Sequence, residues 1–244
     1  SLNFETLMVN TSDSLQLSIS PELYATKDYL FNIIPYGVDS ISSSDFMVTD
    51  SLLTISDEID DFSIYIYFTP TRDGEHQATL LIDEVSDSTG QHFEVLITGS
   101  ALAGTAVFGE VSGTWSVEGS PYLVSADLTI PPYTSLAIDS GVEVIFLNNN
   151  KMTVNGELHA EGVEGDNIVF TTAEGNGSWQ GISMEFTTGE SLLSYCDISN
   201  TNDKAIYTFY CNPVNITDTY IHAFSGNAIY LDDTFADVTI SNTI

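Results

Sequence analysis

Short runs of alternating apolar and polar residues cover the chain, and apolar spacing with the helical period is almost absent. Alternation places every second side chain on one face of a strand, so it predicts β-strands with one buried face. Turn residues such as Thr69–Gly74 separate the runs of the first half. The strands predicted there are Leu15–Ile19, Phe46–Val48, Phe62–Phe68, Ala78–Ile82 and Phe93–Ile97. Strands at this spacing predict an antiparallel sandwich.

The second half carries an internal repeat. Leu192, Ile216 and Ile240 lie 24 residues apart, and the tripeptide Ala-Ile-Tyr occurs at 205 and again at 228. One coil of a parallel β-helix needs three short strands with their turns, so this period predicts stacked coils with Leu192, Ile216 and Ile240 in one interior column. The string Ile-Ser-Asn-Thr, at 198 and 240, does not fit the period, and we assign its copies to different sides of the coil.

A stretch of small residues, Ala101–Thr105, separates the two patterns. It predicts a boundary between a sandwich over residues 1–103 and a β-helix over residues 104–244. The chain stops inside an alternating segment at Ile244, so we expect that it is cut from a longer protein.

The end of the first half resembles a known domain family. Phe68, Pro70, Gly74, Leu96 and Gly99 match the closing strands of the Hydin-type immunoglobulin-like domain, also called the choice-of-anchor D module of bacterial surface proteins. The resemblance covers roughly residues 3 to 103 and implies an immunoglobulin-like sandwich.

The second half resembles the opening coils of right-handed parallel β-helices with a pectin-lyase-like architecture. The family's apolar and glycine positions recur here in order. The segments that carry the resemblance are Gly113-Thr114-Trp115, Tyr122-Leu123-Val124, Ile130-Pro131, Gly141-Val142, Ile168, Phe170-Thr171 and Trp179-Gln180-Gly181-Ile182. The fold class expected for the whole chain is therefore all-β, a sandwich followed by β-helix coils.

The composition limits the partners. Lys and Arg number 4 against 35 Asp and Glu, which gives a formal net charge of −31. Nucleic acids and anionic lipid surfaces are bound through Lys and Arg, so we expect neither partner. No apolar stretch approaches the roughly 20 residues that cross a bilayer, so we expect no membrane insertion.

Catalytic groups typical of polysaccharide enzymes are scarce. The only basic residues of 104–244 are Lys151 and Lys204, both expected at exposed turns, whereas lyases of this architecture combine a basic residue with bound Ca²⁺. Hydrolases use carboxylate pairs, and the adjacent pair here, Asp232 and Asp233, lacks basic neighbours in the sequence. We therefore expect no enzymatic activity and no required cofactor.

Acidic residues could hold Ca²⁺, because carboxylates are its preferred ligands. The candidate metal ligands are Asp57, Asp60 and Asp61 in the densest acidic cluster, together with Asp232 and Asp233. The cluster lacks the spacing of a dedicated calcium loop, so a solvated loop is the simpler interpretation.

The remaining candidate groups have structural interpretations. The four histidines, His76, His92, His159 and His222, have no second ligand at metal spacing and are expected on strand surfaces. The two cysteines, Cys196 and Cys211, are expected as buried thiols on different sides of a coil, without a disulfide. Six aromatic residues could form a platform for sugars if they point outward, although stacked core aromatics are the commoner outcome: Tyr207, Phe209, Tyr210, Tyr220, Phe224 and Tyr230.

Two functions remain open. The first is a non-catalytic structural or adhesive module, secreted or on the cell surface, whose β-helix presents a face to a carbohydrate, a surface protein or another copy. An open β-helix end has unpaired backbone groups, so self-association is expected if the last coil is exposed. The second is the amino-terminal part of a polysaccharide lyase or hydrolase whose catalytic coils lie beyond residue 244.

Overall fold

The computed structural model of the protein describes residues 1–19, 27–37, 42–55, 62–85, 92–233 and 236–244. The chain forms two compact units, Ser1–Ala103 and Gly104–Ile244. The described residues form β-strands and two short 3₁₀ helices, Ser42–Asp45 and Val117–Gly119, so the all-β prediction is confirmed. None of the helices in these ranges has the length and apolar character needed to cross a membrane.

The first unit is a sandwich of two sheets. One sheet has the order β1-β9-β8-β4-β6, with β2 also paired to β9, and the other has the order β3-β7-β5. The strands are β1 (Leu2–Asn3), β2 (Leu7–Met8), β3 (Asp13–Ile19), β4 (Lys27–Pro35), β5 (Phe46–Val48), β6 (Leu52–Ile55), β7 (Phe62–Phe68), β8 (Gly74–Glu84) and β9 (His92–Leu102). The predicted strands lie within β3, β5, β7, β8 and β9, whereas β1, β2, β4 and β6 were not predicted.

The core of the sandwich is built around phenylalanine rings. Phe46 and Phe68 stack at 4.7 Å between ring centroids, and Phe4 lies 5.3 Å from Phe68. Gly99 faces this cluster, since a Cβ there would lie 2.6 Å from the Phe68 ring. The glycine near the end of the first unit is therefore required by the close approach of β9 to an aromatic core residue.

The second unit is a parallel β-solenoid of about five turns. Its strands are β10 (Thr105–Glu110), β11 (Gly113–Trp115), β12 (Tyr122–Ile130), β13 (Ser135–Ile138), β14 (Glu143–Phe146), β15 (Met152–Val154), β16 (Glu157–Glu161), β17 (Ile168–Thr172), β18 (Ile182–Glu185), β19 (Ser191–Ser194), β20 (Cys196–Ser199), β21 (Ile206–Phe209), β22 (Val214–Thr217), β23 (Tyr220–His222), β24 (Ile229–Asp232) and β25 (Val238–Ser241).

These strands stack in three parallel ladders. The long strand β12 belongs to two of them, because its first residues pair with β14 and its last residues with β15. The first ladder continues through β14, β17, β20 and β23, and the second through β15, β18, β21 and β24. The third ladder consists of β11, β13, β16, β19, β22 and β25. Parallel stacking of the repeats is therefore as predicted.

The predicted interior column is wrong at two of its three members: the first is displaced by one residue, and Ile240 on β25 is 44% exposed. Ile216 pairs with Ile240 as expected, but its partner on β19 is Leu193. Leu193 is fully buried, whereas Leu192 is aligned with the outward-facing His159 and Asn215. The spacing from Leu193 to Ile216 is one residue shorter than the spacing from Ile216 to Ile240. A constant spacing therefore selects Leu192 instead of Leu193, and the alternation of the strand places Leu192 on the outer face.

Residues with left-handed backbone conformation turn the corners of the coil. Phe186, Tyr210 and Asp233 occupy equivalent corners of successive coils, with φ of 51°, 47° and 41°. The two Ile-Ser-Asn-Thr strings lie on different ladders, since Ile198 belongs to β20 and Ile240 to β25. Similar local strings can therefore lie on different sides of the solenoid.

Candidate functional site

The outer side of the second ladder carries aromatic side chains. Alternation on β21 buries Ile206 and Thr208 and points Tyr207 and Phe209 outward. The parallel register places Tyr207 between Ser183 on β18 and Tyr230 on β24. Each coil adds one strand to the ladder, so outward side chains at equivalent positions of successive coils form a column along the solenoid.

Five aromatic residues form a continuous group on and beside this ladder, here called the aromatic face. They are Tyr230, Tyr207, Phe209, Phe186 and Tyr210. Neighbouring ring centroids lie 6.0 Å apart for Tyr207–Tyr230, 6.4 Å for Tyr207–Phe209, 5.3 Å for Phe186–Phe209 and 5.7 Å for Phe186–Tyr210. Rings in contact at these distances form one extended apolar surface.

The two corner residues of this face are unusual. Phe186 and Tyr210 combine a left-handed backbone with a bulky aromatic side chain, a position where glycine or asparagine is normally preferred. Phe186 is 60% exposed and Tyr210 38% exposed, although both rings pack against their neighbours. The exposed parts of the two rings are therefore accessible from solvent.

A polar cleft of about 230 Å³ adjoins the aromatic face at Tyr207. We call it the lysine cleft, because it brings together both basic residues of 104–244. Its lining consists of Lys151, Gln180, Ser183, Glu185, Asn202, Asp203, Lys204 and Tyr207. The sequence placed the two lysines at separate exposed turns and did not reveal that they meet.

Each lysine of the cleft faces a carboxylate. Lys204 Nζ donates to Asp203 Oδ2 at 2.5 Å, and Lys151 Nζ lies 3.8 Å from Glu185 Oε1. Lys204 Nζ also lies 5.8 Å and 5.6 Å from the ring centroids of Tyr207 and Tyr230, a cation–π distance. The cleft and the aromatic face are therefore physically connected through Lys204.

Close backbone packing positions Lys204. Gly181 has φ of 82°, and a Cβ on it would lie 2.1 Å from the carbonyl oxygen of Lys204. Only glycine permits this approach between successive coils. The glycine of the Trp-Gln-Gly-Ile segment thus sets the position of a cleft residue.

Tyr207 carries a hydroxyl group that is held in the protonated state. Its oxygen donates to Asp232 Oδ2 at 3.3 Å. Desolvation first, and the negative charge of Asp232 second, raise the pKa of Tyr207 above its usual value. The phenol donates this hydrogen bond at neutral pH, and the raised pKa moves its ionisation further into the alkaline range.

The arrangement combines the two kinds of contact that a sugar needs. Flat aromatic rings can stack against the C–H face of a pyranose ring, and ammonium, amide, hydroxyl and carboxylate groups can bond its hydroxyls. Concave polar groups beside an apolar platform are typical of small-molecule and saccharide sites.

The predicted calcium ligands are only partly placed. Asp57, Asp60 and Asp61 lie outside the described residues. Asp232 lies on β24, where it accepts the Tyr207 hydroxyl, and Asp233 occupies the next corner with φ of 41°. Within the described ranges no three His, Cys, Asp or Glu side chains gather in a way that could hold a metal ion.

Three histidines are partly exposed, as predicted for strand surfaces, but His76 is not. Its side chain is fully buried, and Nδ1 lies 2.7 Å from Oδ2 of the buried Asp45. A buried imidazole needs a polar partner, and the 3₁₀ helix before β5 supplies it. The prediction of a surface position for His76 was therefore wrong.

Both cysteines are free and buried, as predicted. Burial raises the pKa of the Cys196 thiol to about 12. Cys211 is shifted in the same direction by the same cause, so its pKa is also raised. Thiols that stay protonated are poor nucleophiles, which gives both residues a packing role.

Of the six aromatic residues considered in the sequence, none is buried in the core. Tyr207, Phe209, Tyr210 and Tyr230 belong to the aromatic face, whereas Tyr220 lies on the first ladder, stacked at 4.5 Å over His222. Phe224 is exposed as well. The expectation of stacked core aromatics was therefore wrong. Phe186 was missed, because it follows a strand that is otherwise polar on its outer side.

No protein-family model matches the sequence, and no curated protein matches it. Some solved structures are similar to part of the chain at low identity. The PapD-like domain 7 of human CEP192 is 10% identical, covers 42% of this chain and 80% of that domain, and superposes with a TM-score of 0.37. The CupB2 chaperone of Pseudomonas aeruginosa is 14% identical, with 40% and 53% coverage and a TM-score of 0.32.

A family 123 glycoside hydrolase from Clostridium perfringens is also similar in part. It is 8% identical, with 45% of this chain and 26% of that enzyme covered and a TM-score of 0.34. The chain thus spans about half the length of the chaperone and about a quarter of the hydrolase.

Proposed function

We propose that this chain is a non-catalytic, secreted or cell-surface module that binds carbohydrate on the aromatic face. The observation that carries the proposal is the continuous group of five outward aromatic rings beside a polar cleft. Contiguous exposed apolar patches commonly mark binding sites, and sugars are ligands that use both the rings and the adjoining polar groups.

The sequence resemblances support the proposed secreted or cell-surface location. A Hydin-type immunoglobulin-like domain followed by a right-handed, pectin-lyase-like β-helix is an arrangement of bacterial surface proteins. In this arrangement the sandwich serves as a spacer and the solenoid presents the binding face. The strongly acidic composition favours an uncharged or cationic partner over nucleic acid or anionic lipid.

The proposal is tested by binding to a glycan array, followed by calorimetric titration of each ligand found. Phe186→Ala and Tyr230→Ala remove one ring from the first and one from the last coil that the aromatic face spans. Each substitution is expected to cost about 1–2 kcal/mol of binding free energy, or about five- to thirtyfold in Kd. Tyr220→Ala is the matched control, since it removes an exposed tyrosine from the first ladder, and it should leave Kd unchanged.

Circular dichroism of each variant shows whether the fold is retained. Failure of the wild-type chain to bind any glycan would overturn the proposal. Equal losses for Phe186→Ala and the control would show that binding takes place elsewhere.

A second candidate is a polysaccharide lyase or hydrolase, favoured by one feature of the lysine cleft. Lys204 and Tyr207 are groups that can move a proton, and they lie beside the carboxylates Glu185 and Asp203. Release of unsaturated or reducing ends from acidic polysaccharides would favour this candidate. We expect no product, with and without Ca²⁺.

A further inference from the structure

The charges of the lysine cleft are matched in number. Its lining contains two lysines, Lys151 and Lys204, and two carboxylates, Glu185 and Asp203. They form the pairs Lys151–Glu185 at 3.8 Å and Lys204–Asp203 at 2.5 Å. The formal charge of the lining is therefore zero, although the chain as a whole carries −31.

A carboxylated ligand would gain little in such a cleft. At about 4 Å two unit charges interact by roughly 1–4 kcal/mol near a protein surface. The attraction of a ligand carboxylate to Lys204 is opposed by its repulsion from Asp203, and the same holds for Lys151 and Glu185. The negative field of the whole chain adds further repulsion and slows the approach of anions.

An uncharged sugar meets no such opposition. A hydroxyl group both donates and accepts, so it can donate to Glu185 or Asp203 and accept from Lys151 or Lys204. Ser183 Oγ already donates to Glu185 at 2.5 Å, which shows that a hydroxyl fits against this carboxylate. An ammonium group has three donors and a carboxylate several acceptor positions, so one ion pair leaves both groups able to bond a hydroxyl, and such charge-assisted bonds are stronger than bonds between neutral groups.

We infer that the lysine cleft selects uncharged glycans and excludes carboxylated ones, and that Glu185 and Asp203 are the residues that exclude them. This inference rests on the proposed carbohydrate-binding function and names its ligand class. In this arrangement the two lysines serve as hydroxyl donors, and the carboxylates prevent them from attracting acidic sugars.

The first test compares matched ligands. The probes are gluco-, galacto- and manno-oligosaccharides, each measured beside the same oligosaccharide after oxidation of its primary hydroxyls to carboxylates. The uncharged member is expected to bind at least about tenfold more tightly. Its Kd should change by less than about twofold between roughly 0.05 and 0.5 M salt, since little net charge is paired on binding.

The second test unmasks the lysines, that is, it removes the two carboxylates that pair with them. The double variant Glu185→Gln, Asp203→Asn removes both cleft carboxylates and should strengthen binding of the oxidised ligand by about tenfold at low salt. The matched control is Glu110→Gln, Glu164→Gln, which changes the net charge equally at two exposed positions outside the cleft. The control should leave the preference for the uncharged ligand intact.

The outcomes separate the inference from the proposed function. Tighter binding of the oxidised ligand by the wild-type chain would overturn the inference and leave carbohydrate binding standing. An unmasked variant that behaves like the control would also overturn it. If neither member of any pair binds, the carbohydrate-binding function fails, and the inference fails with it.

Discussion

At the scale of single residues, Asp45 and His76 form a fully buried polar contact in the sandwich. His76 Nε2 lies 2.9 Å from the carbonyl oxygen of Arg72, which can only accept, so Nε2 carries a hydrogen. Nδ1 faces Asp45 Oδ2 at 2.7 Å, and Asp45 Oδ1 accepts the Thr71 hydroxyl at 2.8 Å. The pair therefore forms part of a hydrogen-bonded group that is closed to solvent.

Removing one member should destabilise the protein strongly, because the other would remain buried without its partner. We expect Asp45→Ala to lower the free energy of unfolding by about 3–5 kcal/mol. Urea denaturation followed by circular dichroism measures the loss.

The comparison is Asp83→Ala, which breaks the exposed pair between Asp83 and His92, and its loss should be far smaller than that of Asp45→Ala because solvent screens the exposed pair. Similar losses in the two variants would mean that burial does not set the strength of the Asp45–His76 pair.

At the scale of elements, the alternation of β19 determines which of two adjacent leucines is buried in the solenoid. Leu193 is fully buried between Ala160 and Ile216 in the third ladder. Leu192, its neighbour in sequence, is aligned with His159 and Asn215 on the outer face. Two adjacent leucines thus differ in environment only because the strand alternates.

We expect Leu193→Ala to lower the free energy of unfolding by about 2–5 kcal/mol, since it leaves a cavity in the interior column. Leu192→Ala is the matched control, and its loss should stay below about 1 kcal/mol because it leaves no such cavity. Both tryptophans of the chain, Trp115 and Trp179, lie in the solenoid core, so tryptophan fluorescence reports its unfolding directly. The opposite order of losses would contradict the register.

The same elements show what the sequence can and cannot establish. Alternation locates the strands, and the repeated Ala-Ile-Tyr locates equivalent coils, since Ile206 pairs with Ile229. The repeat period does not determine which residues of each strand face inward, because the number of residues per coil varies. The coil from Ala160 to Leu193 is longer than the coil from Leu193 to Ile216. An error of one residue in that length exchanges the inner and outer faces.

The candidate site depends on which residues face outward in each coil, so the sequence predicts it only in part. Four of the five rings of the aromatic face were recognised as a group that could point outward. The convergence of Lys151 and Lys204 was not recognised, because it depends on how many residues each intervening coil uses. Phe186 carries no strand signal, since it lies at a corner where the backbone has φ of 51°.

At the scale of the whole molecule, the deficit of basic residues governs the electrostatics. Only 4 Lys and Arg oppose 35 Asp and Glu. Even the cleft pairs its lysines with carboxylates, so no described cluster of positive charge balances the rest. Folding brings these carboxylates closer together than they are in the unfolded chain, and the repulsion lowers the stability of the compact state.

Salt should therefore stabilise this protein. We expect the free energy of unfolding to rise by about 1–2 kcal/mol as NaCl increases from about 0.01 to about 0.5 M, because the screening length falls well below the size of the molecule. Urea titrations at each salt concentration measure the change, and stability that stays constant or falls would contradict it.

Divalent ions separate general screening from a dedicated calcium site. MgCl₂ and CaCl₂ at equal ionic strength should give the same increase in the free energy of unfolding if screening alone acts. An additional increase with Ca²⁺ would identify a calcium site, since Ca²⁺ accepts irregular oxygen ligands that Mg²⁺ does not. Loss of that increase in Asp57→Asn, Asp60→Asn would locate the site in the acidic cluster before β7, and its persistence there would direct attention to Asp232 and Asp233.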